Sequence, residues 1–231
     1  AAVAFTGARH VDERRTAALL AALDALAATP TSELSLEKRL QFFSAAQLSL
    51  GHTALCLSGG GSLAMYHMGV VRALLEQRML PNVISGTSGG SIVAGVLATR
   101  TDVELLEEVL VEHISTCFPE RWFPPLLEQV TTFMESGVLL RTEDFIATSR
   151  RYYGLLTFEE AYLRTGRHVS INIASCTKGS LRPQSVLLNH VTTPNVCIYS
   201  AVAASCALPG VMPAIALLSK DSSGNIVPFD P

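Results

Sequence analysis

The residues of this chain best suited to chemistry lie in two glycine-rich turns, each preceded by a short apolar run. The second turn reads Gly86-Thr87-Ser88-Gly89-Gly90, after Asn82-Val83-Ile84-Ser85 and before Ser91-Ile92-Val93-Ala94-Gly95-Val96-Leu97. This is the strand, sharp turn, helix grammar that carries a serine nucleophile at the tip of a strained elbow. Gly86 and Gly90, two positions either side of Ser88, leave room for strand and helix to pass closely. The amino end of the following helix offers free N–H groups and a favourable dipole for negative charge developing beside Ser88. The chemistry this pattern points to is attack of a serine hydroxyl on an acyl carbonyl.

The first turn strengthens that reading. Leu55-Cys56-Leu57 runs into Ser58-Gly59-Gly60-Gly61, and residues 62–76 read as a helix. Gly61 precedes Ser88 by 27 residues, about one parallel βαβ unit, so both turns are expected at one edge of a single sheet. The N–H groups of Gly59, Gly60 and Gly61 would then form an oxyanion hole. A nucleotide cradle is the second reading, because Gly59, Gly61 and Ala64 nearly fit G-x-G-x-x-G/A. It ranks lower: the nearest downstream acid is Glu76, inside the predicted helix, and no Asp or Glu follows about 20 residues on to hold a ribose.

With both turns in place, the chain resembles the patatin-like phospholipases, whose pattern is G-G-G-x-R-G, then G-x-S-x-G, then a late Asp-Gly-Gly or Asp-Gly-Ala. Gly59-Gly60-Gly61-Ser62-Leu63-Ala64 stands for the first block, with Leu63 where the family often has arginine. Two further blocks are similar to the family: Thr157-Phe158-Glu159-Glu160-Ala161 with Thr165-Gly166-Arg167, and Ala203-Ala204-Ser205-Cys206-Ala207-Leu208-Pro209-Gly210. Loss of the arginine, with a lead-in ending Leu40-Gln41-Phe42-Phe43, resembles the triacylglycerol-lipase branch of fungal and plant lipid droplets. The likeness covers residues 40–231.

What the resemblance implies is a three-layer α/β/α sandwich with a mostly parallel sheet, preceded by a helical N-terminal extension. It also implies a Ser–Asp dyad without histidine, no metal or organic cofactor, and a neutral lipid or phospholipid substrate. The expected setting is the cytoplasmic face of a lipid droplet or endomembrane, not the outside of the cell. Acyltransfer to lysophospholipid is a possible side activity. One element is missing from the pattern: the sequence has no Asp-Gly pair, Asp230 is followed by Pro231, and Asp221 by Ser222. The dyad aspartate is therefore expected beyond Pro231, and the chain is read as a piece of a longer protein. Two alternatives stand beside this one. The first is an α/β-hydrolase triad using His190 with Asp102 or Asp144; the second is a lipid-droplet scaffold that has lost its base.

Composition bounds these readings. A net charge of −3 supplies no basic field for nucleic acid. Mean hydropathy of +0.34 fits a buried parallel sheet or contact with lipid. The five cysteines (Cys56, Cys117, Cys176, Cys197, Cys206) form no C-x-x-C pair and read as reduced, buried thiols of a cytosolic protein. The six histidines form no metal cluster. Charges at Arg9, Asp12, Glu13, Arg14 and Arg15 exclude a signal peptide at the start of the chain. Residues 196–218 are uncharged and long enough for a membrane span, but Pro209, Gly210 and Pro213 interrupt them.

The elements that must position the two turns follow from periodicity. Residues 1–50 are expected to be the helical extension, with helices over 11–29 and 34–50, the latter closed by Gly51, and residues 51–231 the catalytic domain. The extension reads as a packing element with no chemistry of its own. Thr101 with Glu104 predicts a capping box opening a helix over 102–116, and Thr157 with Glu160 predicts a second. Residues 169–174 and 186–188 alternate as strands, 199–206 read as a small-residue helix, and 221–225 as a hairpin-type turn. Residues 118–127, aromatic and leucine-rich around three prolines, suit a lipid-facing lid or a loop tucked into the core, with Trp122 the deciding residue. His67, one turn past the glycines, reads as a packed or capping residue ahead of a catalytic base, and Ser205 as a packing contact.

Overall fold

The structure, a computed structural model, describes residues 7–49, 53–109, 122–175 and 184–229. The chain divides into two units, Ala1–His52 and Thr53–Pro231. In the first, alanine- and leucine-rich sequence forms α1 (Gly7–Ala28), and α2 (Leu36–Ser49) follows a turn begun by Pro30. The Arg39 guanidinium donates to the Ala27 and Thr29 carbonyls, which the end of α1 leaves open, and to the Leu34 carbonyl in the turn before α2. Gly51 lies outside the described residues.

In the second unit the short apolar runs become strands β1 (Ala54–Leu57), β2 (Val83–Thr87), β3 (His168–Ser175) and β4 (Gln184–Leu188), in that spatial order. The first three are parallel and β4 is antiparallel to β3. The mixed α/β fold with a mostly parallel sheet, expected from the sequence, is what the chain adopts. The register sets Leu57, Gly86 and Ile171 side by side, so one face of the sheet is apolar and buried. Against that face lie α4 (Gly89–Thr99), in which all eleven residues are buried, and α9 (Ile198–Cys206). Alternate residues, among them Cys56, Ser85, Ser170 and Asn172, point to the other face and are half-buried or exposed, so the Cys56 thiol, expected to be buried, is exposed, while Cys197 and Cys206 are buried. An antiparallel pair, β5 (Leu218–Lys220) and β6 (Ile226–Pro228), closes around the turn expected at residues 221–225.

Both capping boxes form. Thr101 opens α5 (Asp102–Glu104), and Thr157 opens α8 (Phe158–Thr165). The first departs from the expected long helix: a π-helical turn, Leu105–Val109, follows α5, and residues 110–121 lie outside the described residues. The helix predicted over 62–76 also divides, into a 3₁₀ segment (Gly61–Tyr66) and α3 (His67–Glu76). The tighter winding brings Ala64 and Gly61 so close to Gly89 that a Cβ there would lie 2.7 Å from each.

Between these elements run α6 (Leu126–Ser136) and α7 (Thr142–Tyr153). Trp122 packs on Phe145, Tyr152 and Tyr153 with ring centroids 5.2, 4.8 and 5.8 Å away, and is only 9% exposed. Of the two readings offered for this stretch, the core one holds for Trp122, since three aromatic partners from α7 surround it. Residues 196–218 likewise form no span. They are broken into α9, a turn and the start of β5, and among the described residues no helix is long and apolar enough to cross a membrane.

Candidate active site

β2 ends at Thr87 and α4 begins at Gly89, leaving Ser88 alone to reverse the chain. It does so at φ 51° and ψ −128°, a region that costs a non-glycine residue about 1–3 kcal/mol. Close packing of strand on helix helps hold it there. An added Cβ on Gly86 would meet Ala94 Cβ at 2.6 Å, and one on Gly90 would meet the Leu57 carbonyl oxygen at 2.1 Å. No larger residue fits either position. Ser88 itself is half-buried, at the amino end of a helix removed from water along its whole length. A dipole in that setting is screened less than one on a surface helix.

The glycine turn stands directly against this serine. A Cβ on Gly59 would lie 3.0 Å from Ser88 Cβ and 3.5 Å from its Oγ. The two turns, 27 residues apart in sequence, therefore share one edge of the sheet, as parallel pairing of β1 with β2 requires. Gly61 takes φ 56°, which glycine adopts without penalty. Among the described residues, no loop carbonyl or side chain accepts from the N–H groups of Gly59, Gly60 or Gly61.

His67 has a different task from proton transfer. Its Nε2 lies 2.9 Å from the Ser58 carbonyl oxygen, so the ring nitrogen must be the donor. That carbonyl belongs to the same rigid peptide as the Gly59 N–H. Fixing the oxygen fixes the direction of the donor at the first glycine.

Three residues not singled out for the site by sequence reasoning hold the elbow or the far end of α4 behind it. Ser205 Oγ, near the end of α9, accepts from the Ser88 N–H at 2.8 Å and donates to the Asn172 carbonyl of β3 at 2.7 Å. Ser91 donates from its hydroxyl to the Ser88 carbonyl at 2.6 Å, and burial pushes the Cys206 thiol beneath it up to about 12. Arg167 works at the other end of α4, donating to the Leu97 and Arg100 carbonyls at 2.9 and 2.6 Å and to Asp102. Ser205 and Arg167 lie in sequence blocks quoted above, the only signal that pointed to them; Asn172 acts through its backbone and left none.

The remaining candidates are elsewhere. Asp102 is held by Arg167 beyond the carboxyl end of α4, about 16 Å of helix from Ser88. Asp144 lines a cavity of about 290 Å³ with Trp122 and Arg141, and no residue of the two glycine turns borders it. His190 stacks on Tyr162 at 4.1 Å and lies 4.9 Å from His168, which pairs with Val83 at the opposite end of β2 from the elbow. Burial, then the neighbouring His168, lowers the pKa of His190. These residues assemble no triad with Ser88. Asp221 is consumed by its own turn, accepting from the Ser223 and Asn225 backbone N–H groups at 2.8 Å. Asp230, Pro231, Cys117 and Cys176 lie outside the described residues. Among the described residues no three His, Cys, Asp or Glu are grouped to hold a metal.

A model of the family described as patatin-like phospholipase matches residues 55–222, from β1 through both turns to the β5–β6 hairpin. The chain belongs to that family. Patatin-like proteins of fungi are similar over nearly the whole chain. A patatin-like phospholipase domain-containing protein of Cryptococcus neoformans is 39% identical over 230 residues, which is 98% of this chain and 25% of the relative. One from Pyricularia oryzae is 40% identical over 200 residues, or 86% of this chain and 25% of the relative. The chain thus spans about a quarter of the length of these curated relatives. Among solved structures, the type III effector ExoU of Pseudomonas aeruginosa aligns with a TM-score of 0.43 at 21% identity, covering 68% of this chain and 40% of that one. VipD from Legionella pneumophila aligns at 0.42 and 15% identity, covering 78% and 47%. Membership in the patatin-like family leaves the α/β-hydrolase alternative without support.

Proposed function

We propose that this chain carries the nucleophile and oxyanion hole of a serine-dependent lipase acting on triacylglycerol, with phospholipid as a lesser substrate. Ser88 attacks the acyl carbonyl, the N–H groups of Gly59, Gly60 and Gly61 stabilise the tetrahedral oxyanion, and water releases the fatty acid from the acyl-enzyme. The observation that carries this reading is the strained Ser88 with Gly59 so near that a Cβ added there would lie 3.5 Å from the serine Oγ. Preference for an uncharged ester rests on Leu63 and Tyr66, 69% and 79% exposed on the 3₁₀ segment that leaves the oxyanion turn. An exposed leucine there offers acyl chains an apolar rim and offers a phosphate no cation. Work at the cytoplasmic face of a lipid droplet or endomembrane is part of the proposal, supported by the free thiols of Cys56, Cys197 and Cys206.

The base is proposed to be an aspartate supplied from outside residues 1–231, because Asp102 and Asp221 are already engaged and no described carboxylate reaches Ser88. The experiment is fluorophosphonate labelling of the full-length protein with peptide mapping, together with hydrolysis of triolein and phosphatidylcholine. Labelling at Ser88, lost with hydrolysis in Ser88→Ala, is the expected result. A labelled Ser58 or Ser205 with Ser88 untouched refutes the assignment, and a folded protein that neither labels nor hydrolyses is a scaffold.

A further inference from the structure

The Ser205 hydroxyl occupies an unusual place in the sheet. The β2–β3 ladder ends at the pair Thr87↔Asn172, and the next residue along β2 is Ser88. At that point the chain must leave the sheet, yet the Ser88 N–H and the Asn172 carbonyl still need partners. The Ser205 hydroxyl serves both, accepting from the first at 2.8 Å and donating to the second at 2.7 Å. It comes from a helix 117 residues further along the chain and is nearly buried, 9% exposed. A hydroxyl has one proton and rotates freely until both its partners are fixed. Here donation to Asn172 uses the proton, which turns a lone pair towards the Ser88 N–H.

We propose that Ser205 is a positioning residue for the nucleophile: it locks the Thr87–Ser88 peptide plane and thereby sets where Ser88 Oγ stands relative to the Gly59–Gly61 donors. The Ser88 carbonyl is already fixed by the hydroxyl and the N–H of Ser91, at 2.6 and 2.8 Å. With Ser205 on the N–H side, both peptides flanking the strained residue are held, one by α4 itself and one by α9. Deleting the Ser205 hydroxyl leaves a half-buried N–H and carbonyl unpaired, and the cheapest relief is rotation of the 87–88 peptide. That rotation swings the Ser88 Cα–Cβ bond, so the loss falls on turnover, while the acyl-chain rim at Leu63 and Tyr66 is untouched.

This inference rests on Ser88 being the nucleophile, and the test separates the two. Full-length protein carrying Ser205→Ala, Ser205→Thr, Ser88→Ala or Thr157→Ala is assayed with p-nitrophenyl butyrate and a fluorophosphonate probe, with Tm measured on each. Thr157 caps α8, away from both turns, so Thr157→Ala controls for lost stability alone. Ser205→Ala is expected to lower kcat and the labelling rate about 10- to 100-fold with KM unchanged, the scale of a small misplacement of a reacting group. Ser205→Thr, which keeps the hydroxyl, is expected to return to within a few-fold of wild type, and Thr157→Ala to stay there despite a lower Tm. If the extra methyl of Ser205→Thr prevents folding, the comparison of Ser205→Ala with Thr157→Ala decides. Wild-type rates in Ser205→Ala, or a loss no greater than in Thr157→Ala at matched Tm, overturn the positioning role while Ser88 stands. Labelling and hydrolysis that persist in Ser88→Ala overturn the nucleophile, and the role of Ser205 with it.

Discussion

Replacing Arg167 with methionine tests whether α4 is held at the end remote from the serine. The guanidinium is 5% exposed and donates two charge-assisted hydrogen bonds to the Leu97 and Arg100 carbonyls, which the end of α4 would otherwise leave open. Each such bond contributes about 1.5–3 kcal/mol. The Asp102 contact adds little, because that carboxylate is 68% exposed and stays solvated when its partner is removed. Burial itself pulls the Arg167 pKa below its ordinary value, so methionine escapes a desolvation cost that offsets part of the loss. The net expectation is about 3 kcal/mol, or about 6–12 °C in Tm for a chain of this size. Arg167→Lys should fall between, since one ammonium cannot serve two carbonyls and a carboxylate with a fixed fork. The assay is thermal unfolding followed by circular dichroism, with the fluorophosphonate labelling rate measured well below the transition. Labelling should hold to within a few-fold, because about 16 Å of helix separates the substitution from Ser88. A Tm within about 2 °C of wild type would refute the capping argument. Labelling lost tenfold or more in protein that is still folded would show that α4 does not insulate its two ends.

His67→Gln should retain most activity, since an amide can still donate to the Ser58 carbonyl, whereas His67→Ala should lose about tenfold in kcat as the Gly59 donor drifts. A loss of about a thousandfold in both would make His67 a general base, read from the same p-nitrophenyl ester kinetics. Glu160 gives a pH prediction. Burial raises its pKa, but the Lys220 ammonium and the Thr157 N–H outweigh burial and hold it below the ordinary 4.5. A carboxylate with a depressed folded pKa adds stability above its unfolded pKa and loses it as pH falls through the folded value. The Tm advantage of wild type over Glu160→Gln should therefore be constant above about pH 6 and close below 4.5; an advantage that grows on acidification would reverse the sign.

What the sequence disclosed was local. Thr101 with Glu104 and Thr157 with Glu160 lie three residues apart, and both boxes form as the spacing requires. The two glycine turns were legible for the same reason, since apolar strand, glycine and small-residue helix are contiguous in the chain. Ser205 was not, because its partners lie 117 and 33 residues away and only the closed sheet brings them together. Trp122 could not be placed either, as the aromatic cage around it comes from α7, more than twenty residues on. The 3₁₀ winding at Gly61–Tyr66 depended on contact with Gly89, again a tertiary matter. His67 was visible as a histidine near the site, but its direction towards Ser58 needed coordinates.

The complete burial of α4 has a consequence for when the serine becomes reactive. A helix of eleven residues is too short to persist in water, and Ser91 and Thr99 are the two polar side chains on this one, both spent on backbone carbonyls. It can form only as the strands and α9 close over it. The φ of Ser88 is uphill for an isolated turn, so the elbow has no stable existence before that closure. Amides of α4 should consequently exchange with solvent only through global opening, among the slowest in the protein. A chain emerging from synthesis carries an ordinary serine hydroxyl. On the role proposed for Ser88, the activated one exists only in molecules whose core is finished.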